Sequence, residues 1–231
     1  MERDKIVIVI PAYNPDKQLL KIILKLQKRN FTNIVVVDDG SITGKGYFQQ
    51  IKERVTIIEH KENRGHGAAV KTGIQYCLNN INNVMGVITM DADGQHLVED
   101  VDKIYEEFKN KKDTVILGSR NFSEKNTPIR SKIGNKLMTK ILKKKTGKVI
   151  KDTQTGLRTI PYSYLKEFGN IEGNRYEFVI NVLLYCIQHN IPIEEYSIQT
   201  VYINKNKNSH YRVIKDTLMI YKKIRKYNKH T

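Results

Sequence analysis

Long apolar runs are absent from this sequence of 231 residues. No stretch approaches the ~18 consecutive apolar residues that a membrane-spanning helix requires. The apolar core near the N-terminus, residues 6–10, is too short for a secretory signal peptide, and no small-residue cleavage site follows it. We therefore expect a protein that is made and kept in the cytoplasm.

Cysteine is also scarce. The two cysteines, Cys77 and Cys186, form no CxxC pair, which fits a reducing compartment and argues against a disulfide framework or a zinc site. Two glycine motifs of nucleotide-binding proteins are missing as well. Neither GxGxxG after the first apolar run nor GxxxxGK[ST] occurs, which disfavours an NAD enzyme and a P-loop ATPase.

Basic residues are in excess. Lysine and arginine number 40 against 24 aspartates and glutamates, a net charge of +16. A surplus of this size attracts nucleic acid, anionic lipid or phosphorylated substrates. Residues 136–151 and 212–230 carry much of it, with cations and apolar residues at near-helical spacing. Both a solvated surface helix and a helix lying on an anionic membrane have this pattern.

The first half of the sequence alternates between apolar, β-branched runs and helical patterns. The runs cover residues 6–10, 34–37, 55–58, 84–89 and 115–117, and the helical patterns cover 15–28, 65–79 and 97–110. Runs that are apolar on both faces are typical of parallel strands buried under helices. We predict an α/β fold with a Rossmann-like, mostly parallel sheet flanked by helices.

The second half is less regular. Residues 152–160 look extended, 174–189 helical, and 192–203 like an edge strand that starts with a proline. A polar, mobile loop is predicted over 204–210. We predict one domain over residues 1–210 and a basic amphipathic helix over 211–231 that faces a membrane or an acceptor.

Polar segments follow four of the predicted strands: "PAYN", "DDGS", "DADGQH" and "GSR". Each alone is compatible with a turn. In an α/β sheet, however, ligands bind beyond the carboxyl ends of the strands, so all four together predict a binding site at one edge.

The "DADGQH" segment carries two carboxylates, Asp91 and Asp93, two residues apart. Side chains at this spacing can point the same way, where they repel each other unless a cation joins them. Mg²⁺ or Mn²⁺ commonly uses one or two carboxylates plus substrate phosphates, and Gln95 adds a further oxygen. A lone histidine such as His96 is more often a hydrogen-bonded wall residue than a ligand. The carboxylates of "DDGS" can bind a ribose or a nucleobase.

These motifs resemble those of family 2 glycosyltransferases with the GT-A fold. "IPAYN", "VVDDGS", "NRGHGAAVKTG", "MDADGQH", "GSR" and "DTQTGLR" occur in that family's order, over about residues 5–220. The similarity is greatest to the dolichyl-phosphate mannose synthase and bacterial polyprenyl-phosphate glycosyltransferase branch. The segment "YINKNKNSHYRVIKD" also resembles the tail motif of that branch. It implies an inverting, metal-dependent transfer of sugar from a UDP- or GDP-sugar to a polyprenyl phosphate.

The resemblance also implies roles for residues of this sequence. Donor-binding residues would be Pro11, Ala12, Tyr13, Asn14, Asp38, Asp39, Lys71, Asp91 and Ala92, with Asp39 favoured over Asp38 for the base. Asp91, Asp93 and Gln95 would hold Mg²⁺ or Mn²⁺ on the donor diphosphate. Catalytic residues would be Asp93, Asp152, Gln154 and Arg120. Residues that bind acceptor or phosphate would be Arg120, Arg130, Ser209, His210 and Arg212.

Three features depart from the family pattern. Pro15 stands where glutamate is common, which leaves the identity of the base open, and Leu97 stands where proline is common. Many relatives carry C-terminal membrane helices, whereas this sequence has a basic helical pattern there. We expect a peripheral location on the inner face of the cell membrane, with a separate membrane protein as a further candidate partner.

The nature of the acceptor decides whether a base is needed. A lipid monophosphate has a second pKa of ~6 and is already nucleophilic, whereas a sugar hydroxyl requires a base, for which Asp152 is the first candidate and Glu177 the second. We favour the lipid phosphate over extension of a cell-surface polysaccharide or lipid-linked oligosaccharide. A nucleotidyltransferase is a further alternative function, but the N-terminal segment "PAYNPDKQLL" does not support it. We expect no nucleic acid partner, since a nucleic-acid binder would not explain the acidic strand ends.

Overall fold

The computed structural model describes residues 3–122, 127–199 and 201, with only the backbone of Arg130. Its strands are β1 Ile6–Ala12, β2 Ile34–Asp38, β3 Thr56–Glu59, β4 Gly86–Thr89, β5 Val115–Arg120, β6 Arg158–Pro161 and β7 Ile193–Ile198. Its helices are α1 Lys17–Lys28, α2 Lys45–Ile51, α3 His66–Asn80, α4 Val98–Asn110, α5 Ile129–Thr146, α6 Leu165–Asn170 and α7 Glu177–Gln188.

The strands form one seven-stranded sheet in the order β3-β2-β1-β4-β6-β5-β7. Only β6 is antiparallel, and it pairs with β4 on one side and with β5 on the other. The prediction of a mixed, mostly parallel sheet flanked by helices is therefore confirmed. Because β6 reverses direction, β4 and β5 run the same way and end at the same edge.

The central strands have the both-sided burial that the apolar runs predict. In β1, Val7 and Val9 pack in a core shared with α3 and α7, whereas Ile6, Ile8 and Ile10 pack in a core shared with α1 and α4. Side chains of a strand alternate between the two faces of a sheet, so an uninterrupted apolar run supplies both cores. The prediction of full burial is wrong for β3, which is half-buried because it forms an edge of the sheet.

The extended segment predicted over residues 152–160 is mostly a turn. Only residues 158–161 form a strand. Asp152 accepts a hydrogen bond from the backbone of Gln154 at 3.2 Å, and Thr155 accepts one from the backbone of Leu157 at 3.2 Å. Such local side-chain bonds compete with strand pairing.

The remaining differences concern element ends. The edge position predicted for 192–203 is confirmed, because β7 is the last strand of the sheet, but the strand ends at Ile198. Helix α5 begins at Ile129, seven residues before the predicted start, and ends at Thr146. Gly147 follows, with a left-handed backbone of φ 75° that suits glycine. The predicted loop 204–210 and the basic helix 211–231 lie outside the described residues. Among the helices that are described, none is long and apolar enough to span a bilayer.

Candidate active site

The carboxyl ends of β1, β2 and β4 lie side by side, because these strands are parallel neighbours. They bring together the segments that follow them in sequence, "YN", "DGS" and "DADGQH". Backbone bonds tie these ends to each other: the amide of Asp39 donates to Ala12 at 2.8 Å, and the amide of Met90 donates to Val9 at 3.1 Å. Arg120 ends β5 at the same edge. The structure therefore assembles the predicted rim.

Asp91 lies between two histidines at this edge. Its Oδ1 lies 3.2 Å from Nε2 of His66, the first residue of α3, and its backbone amide donates to Nδ1 of His96 at 3.3 Å. Burial alone would raise the pKa of Asp91, but the hydrogen bond from His66 and the positive potential of His96 and Arg120 hold it well below its usual range. Asp91 is thus kept ionised. His96 is buried and serves as a wall residue.

The pKa of Asp93 is shifted in the opposite direction. Burial and the neighbouring charge of Asp91 raise the pKa of Asp93 above its usual value. Gln95 covers this carboxylate, with its backbone amide 3.0 Å from Oδ1 and its side-chain Nε2 2.8 Å from Oδ2. Two acidic groups that repel each other in this way form a site that a cation would stabilise.

A divalent metal fits this pair on chemical grounds. Carboxylate oxygens are the ligands that Mg²⁺ and Mn²⁺ prefer, and these ions need only one or two of them when substrate phosphates complete the shell. Within the described part of the chain, no cluster of three or more His, Cys, Asp or Glu side chains could hold a metal without such help. Asp91 and Asp93 could supply two carboxylate ligands to a metal. Gln95 in the described geometry turns its amide nitrogen, not its oxygen, toward Asp93.

Asp152, which is buried, and Arg120, which is partly exposed, form an ion pair beside the carboxylates. Nε of Arg120 donates to Oδ2 of Asp152 at 2.6 Å, Nη2 donates to Oδ1 at 3.0 Å, and the backbone amide of Arg120 donates to Oδ2 at 3.2 Å. The amide of Gln154 supplies a fourth donor at 3.2 Å. An ionised carboxylate has about four acceptor positions, so those of Asp152, which is 0% exposed, are all used. These contacts suit Asp152 to holding Arg120 in place more than to accepting a proton as a base.

Glu177, the second candidate for a base, lies at the start of α7. Its Oε1 accepts from the backbone amides of Asn174 at 3.1 Å and Arg175 at 3.3 Å, which joins the side chain to the turn before the helix. Its Oε2 is buried without a hydrogen-bond partner among the described residues. This placement suits a residue that shapes the turn before α7 more than a group that receives a proton from a substrate.

Asp39, the residue favoured for the nucleobase, is engaged in folding the loop before α3. Its Oδ1 lies 2.7 Å from Nδ1 of His60 and 2.9 Å from the amide of Arg64, and its Oδ2 accepts from the amide of Gly65 at 2.7 Å. His60 is itself fixed by Thr72, 2.9 Å from its other ring nitrogen. The role of Asp39 in binding a nucleobase therefore stays a prediction. The base would have to donate to Oδ2, which accepts only one of the three hydrogen bonds given above.

The other predicted donor-binding residues have local partners as well. Asp38 accepts from the amide of Ser41 at 2.8 Å, and Oδ1 of Asn14 accepts from the amides of Ile42 and Thr43 at 2.8 and 3.0 Å. These bonds shape the loop above β1 and β2. Lys71 reaches away from the loop to Asn174, 2.9 Å from its Nζ, and burial and Arg64 lower its pKa. Pro11, Ala12, Tyr13 and Ala92 lie at the rim as predicted from their strand ends.

Three residues of the site carry no role in the sequence predictions. His66 contacts Asp91 and stacks on Tyr176, with the ring centroids 5.3 Å apart. Arg158 is buried below the carboxylates and donates to the carbonyls of Thr155 and Val179. Burial lowers the pKa of Arg158 to about 10. His66 and Arg158 stand in the motifs "NRGHG" and "DTQTGLR", so motif membership was a usable signal. Gly156 is the third, because a methyl group there would lie 2.3 Å from Oδ2 of Asp91.

A cavity of about 550 Å³ opens beside Arg120, between α5 and the strands β5 and β7. Its basic lining residues are Arg120, Lys132, Lys136, Lys140 and Lys151. We call it the Arg120 cavity. The predicted phosphate-binding residues Ser209, His210 and Arg212 lie outside the described residues, as does the side chain of Arg130, so their roles stay predictions.

The sequence is similar to those of known proteins. The chain is 31% identical over 222 residues to a UDP-N-acetylglucosamine–dolichyl-phosphate N-acetylglucosaminyltransferase of Methanococcus voltae, covering 86% of this chain and 87% of that one. It is 30% identical over 219 residues to the dolichyl-phosphate beta-glucosyltransferase of Saccharomyces cerevisiae, covering 81% of this chain and 64% of the yeast enzyme.

A solved structure, glucosyl-3-phosphoglycerate synthase of M. tuberculosis, aligns with a TM-score of 0.66 at 14% identity, covering 94% of this chain and 77% of that one. At this identity the likeness shows the fold, which is of the GT-A type. The family model described as glycosyl transferase family 2 matches residues 7–169, and the Asp91–Asp93 pair lies within that match. The chain therefore belongs to glycosyl transferase family 2 and is a glycosyltransferase.

Proposed function

We propose that this glycosyltransferase moves a sugar from a nucleotide-sugar donor to a polyprenyl phosphate of the dolichyl type, with inversion and with a divalent metal. One observation carries the choice of acceptor: all four acceptor positions of Asp152 are occupied by donors. A phosphate monoester is ionised near neutral pH and needs no base. The site therefore suits a phosphate acceptor better than a sugar hydroxyl.

The relatives support the same acceptor. The methanogen and yeast enzymes described above are both named for dolichyl phosphate, although they are named for different sugars. A shared acceptor with different donors leaves the sugar of this chain open. The methanogen enzyme is named for a UDP-sugar, so a UDP-sugar is the first donor to test.

In the proposed reaction, an oxygen of the acceptor phosphate attacks the anomeric carbon of the sugar. The bond from that carbon to the nucleoside diphosphate breaks, and the electron pair leaves with the diphosphate. A single in-line displacement inverts the anomeric configuration. Asp91 and Asp93 would hold Mg²⁺ or Mn²⁺, which when bound neutralises charge on the leaving diphosphate. Arg120, fixed by Asp152, supplies a positive charge beside the reacting groups.

We also propose the cellular setting and the domain plan. An acceptor with a polyprenyl chain resides in a membrane, so the enzyme works at the cytoplasmic membrane surface as a peripheral protein. Residues 1–210 form the glycosyltransferase domain, and the basic residues of 211–231 form a helix that faces the membrane or the acceptor.

A donor panel tests the proposal. Purified protein is incubated with UDP-, GDP- and dTDP-sugars, with and without dolichyl or undecaprenyl phosphate, in Mn²⁺ or in EDTA. We expect one donor to give a lipid-linked sugar only when the lipid phosphate is present, and we expect EDTA to abolish transfer and excess Mn²⁺ to restore it. Metal-independent behaviour together with tight, salt-sensitive RNA binding would contradict the proposal.

The alternative, extension of a polysaccharide or lipid-linked oligosaccharide at a hydroxyl, is separated by the substitution Asp152→Asn. If Asp152 only positions Arg120, the variant should retain about a tenth of wild-type transfer to the lipid phosphate, because one charge-assisted pair is weakened. The measurement is the initial rate on the lipid phosphate, with thermal unfolding as a check on folding. A loss as complete as that of Asp93→Ala would favour a base and a hydroxyl acceptor.

A further inference from the structure

Helix α5 exposes three apolar side chains to solvent. Ile129 is 74% exposed, Ile133 is 63% exposed and Leu137 is 47% exposed. Residues four apart lie above one another on a helix, so these three form a continuous row, which we call the apolar stripe. Met138 and Leu142 of the same helix are fully buried in the core. The core therefore does not explain the apolar stripe.

The surroundings of the apolar stripe are strongly basic. Residues 129–151 contain nine lysines or arginines and no aspartate or glutamate. Lys132, Lys136 and Lys140 recur at the same four-residue spacing and are exposed along one side of the stripe. A row of exposed aliphatic side chains beside a row of lysines is the pattern of a helix that lies in the headgroup region of an anionic bilayer.

We propose that this face of α5 docks the enzyme on an anionic lipid surface, with the apolar stripe in the headgroup–acyl boundary and the lysines at the lipid phosphates. The inference rests on the proposed function, since it supplies the surface from which a polyprenyl phosphate is taken. Lys132, Lys136 and Lys140 also line the Arg120 cavity. A docked α5 therefore places the mouth of that cavity at the depth where a membrane-embedded lipid carries its phosphate.

Other occupants fit the stripe less well. Residues 202–231 contain nine lysines or arginines and one aspartate, so their charge has the same sign as that of α5. A nucleic acid would match the lysines but not three aliphatic side chains, because base stacking uses aromatic rings. An anionic lipid surface matches both properties at once.

Vesicle binding of the full-length protein tests the docking. Cosedimentation is measured with vesicles of phosphatidylcholine alone and of phosphatidylcholine with phosphatidylglycerol. We expect wild type to bind the anionic vesicles and to dissociate as salt is raised. The double variant Ile133→Ser/Leu137→Ser should bind about tenfold more weakly because aliphatic area no longer leaves water. Lys143→Glu/Lys144→Glu should weaken binding by a similar factor, since each cation near the surface contributes.

Matched variants on α1 provide the controls. Leu24 is 37% exposed on that helix and Lys21 and Lys25 are exposed beside it, so Leu24→Ser and Lys21→Glu/Lys25→Glu make the same chemical changes away from α5. They should bind vesicles as wild type does. Equal binding of wild type and of Ile133→Ser/Leu137→Ser, which we call the stripe variant, would overturn the docking proposal. So would binding that ignores lipid charge, or lipid-free self-association of wild type that the stripe variant loses.

Transfer to a short-chain polyprenyl phosphate in detergent separates the two proposals. The stripe variant should keep this activity while losing transfer on vesicles. If wild type docks on vesicles but transfers sugar to no polyprenyl phosphate, the proposed function is wrong and the docking stands. If wild type transfers sugar in detergent and does not bind anionic vesicles, the docking is wrong and the function stands.

Discussion

Asp93→Ala is expected to reduce sugar transfer about a thousandfold. The substitution removes one of the two carboxylates proposed to hold a metal on the leaving diphosphate. Losing about 4 kcal/mol of transition-state stabilisation corresponds to that factor. The variant should fold normally, because burial and the adjacent Asp91 already make the charge of Asp93 unfavourable, as its raised pKa shows. Initial rates on the lipid phosphate, with the donor and Mn²⁺ saturating, measure the effect.

The control for this variant is Asp113→Ala. Asp113 is exposed and makes one long contact, 3.4 Å from Oγ of Ser163, so its removal should leave both activity and stability near wild type. A second readout is the concentration of Mn²⁺ that gives half-maximal rate, which should rise in the Asp93 variant alone. Wild-type activity of Asp93→Ala would contradict the metal site at this strand end.

Gly156→Ala is expected to reduce transfer about a hundredfold although it adds a single methyl group. That methyl group would lie 2.3 Å from Oδ2 and 2.5 Å from Oδ1 of Asp91, closer than carbon and oxygen can approach. Thr89 holds the carbonyl of Gly156 at 2.7 Å, so the backbone of the turn cannot easily retreat. Asp91 must therefore move, and displacing a reacting group by ~1 Å costs about this factor in rate.

Gly46→Ala is the matched control. Gly46 lies in α2, and a methyl group there would meet nothing within 4 Å. Alanine favours a helix over glycine by up to about 1 kcal/mol, so this variant should be as stable as wild type or slightly more stable. Rates and thermal unfolding are compared for the two variants. If Gly156→Ala transfers sugar as fast as Gly46→Ala, the contact between the "DTQTGLR" turn and Asp91 has no role in the reaction.

The sequence was sufficient for the central sheet and for the edge of that sheet at which the candidate site lies. A strand that is buried on both faces requires an uninterrupted apolar run, so the sequence predicts β1, β2 and β4 directly. The carboxyl ends of such strands meet at one edge, which brought Asp91 and Asp93 to a common rim. Edge strands and turns were predicted less well. The position of a strand in the sheet and local side-chain hydrogen bonds determine them, and the pattern of apolar residues does not. The turn at Asp152 and the half-buried β3 are examples.

The states of the site residues depend on contacts between distant parts of the chain. The contact between His66 and Asp91, which helps to lower the pKa of Asp91, joins residues 25 apart in sequence. The ion pair between Arg120 and Asp152 joins residues 32 apart. No local sequence pattern predicts these contacts, because they depend on which strands become neighbours in the sheet. Residue type and spacing thus determined the fold class, the family and the carboxylate pair. Packing of the completed sheet decided that Asp152 positions an arginine, that Gly156 must stay small, and that α5 keeps an apolar face toward solvent.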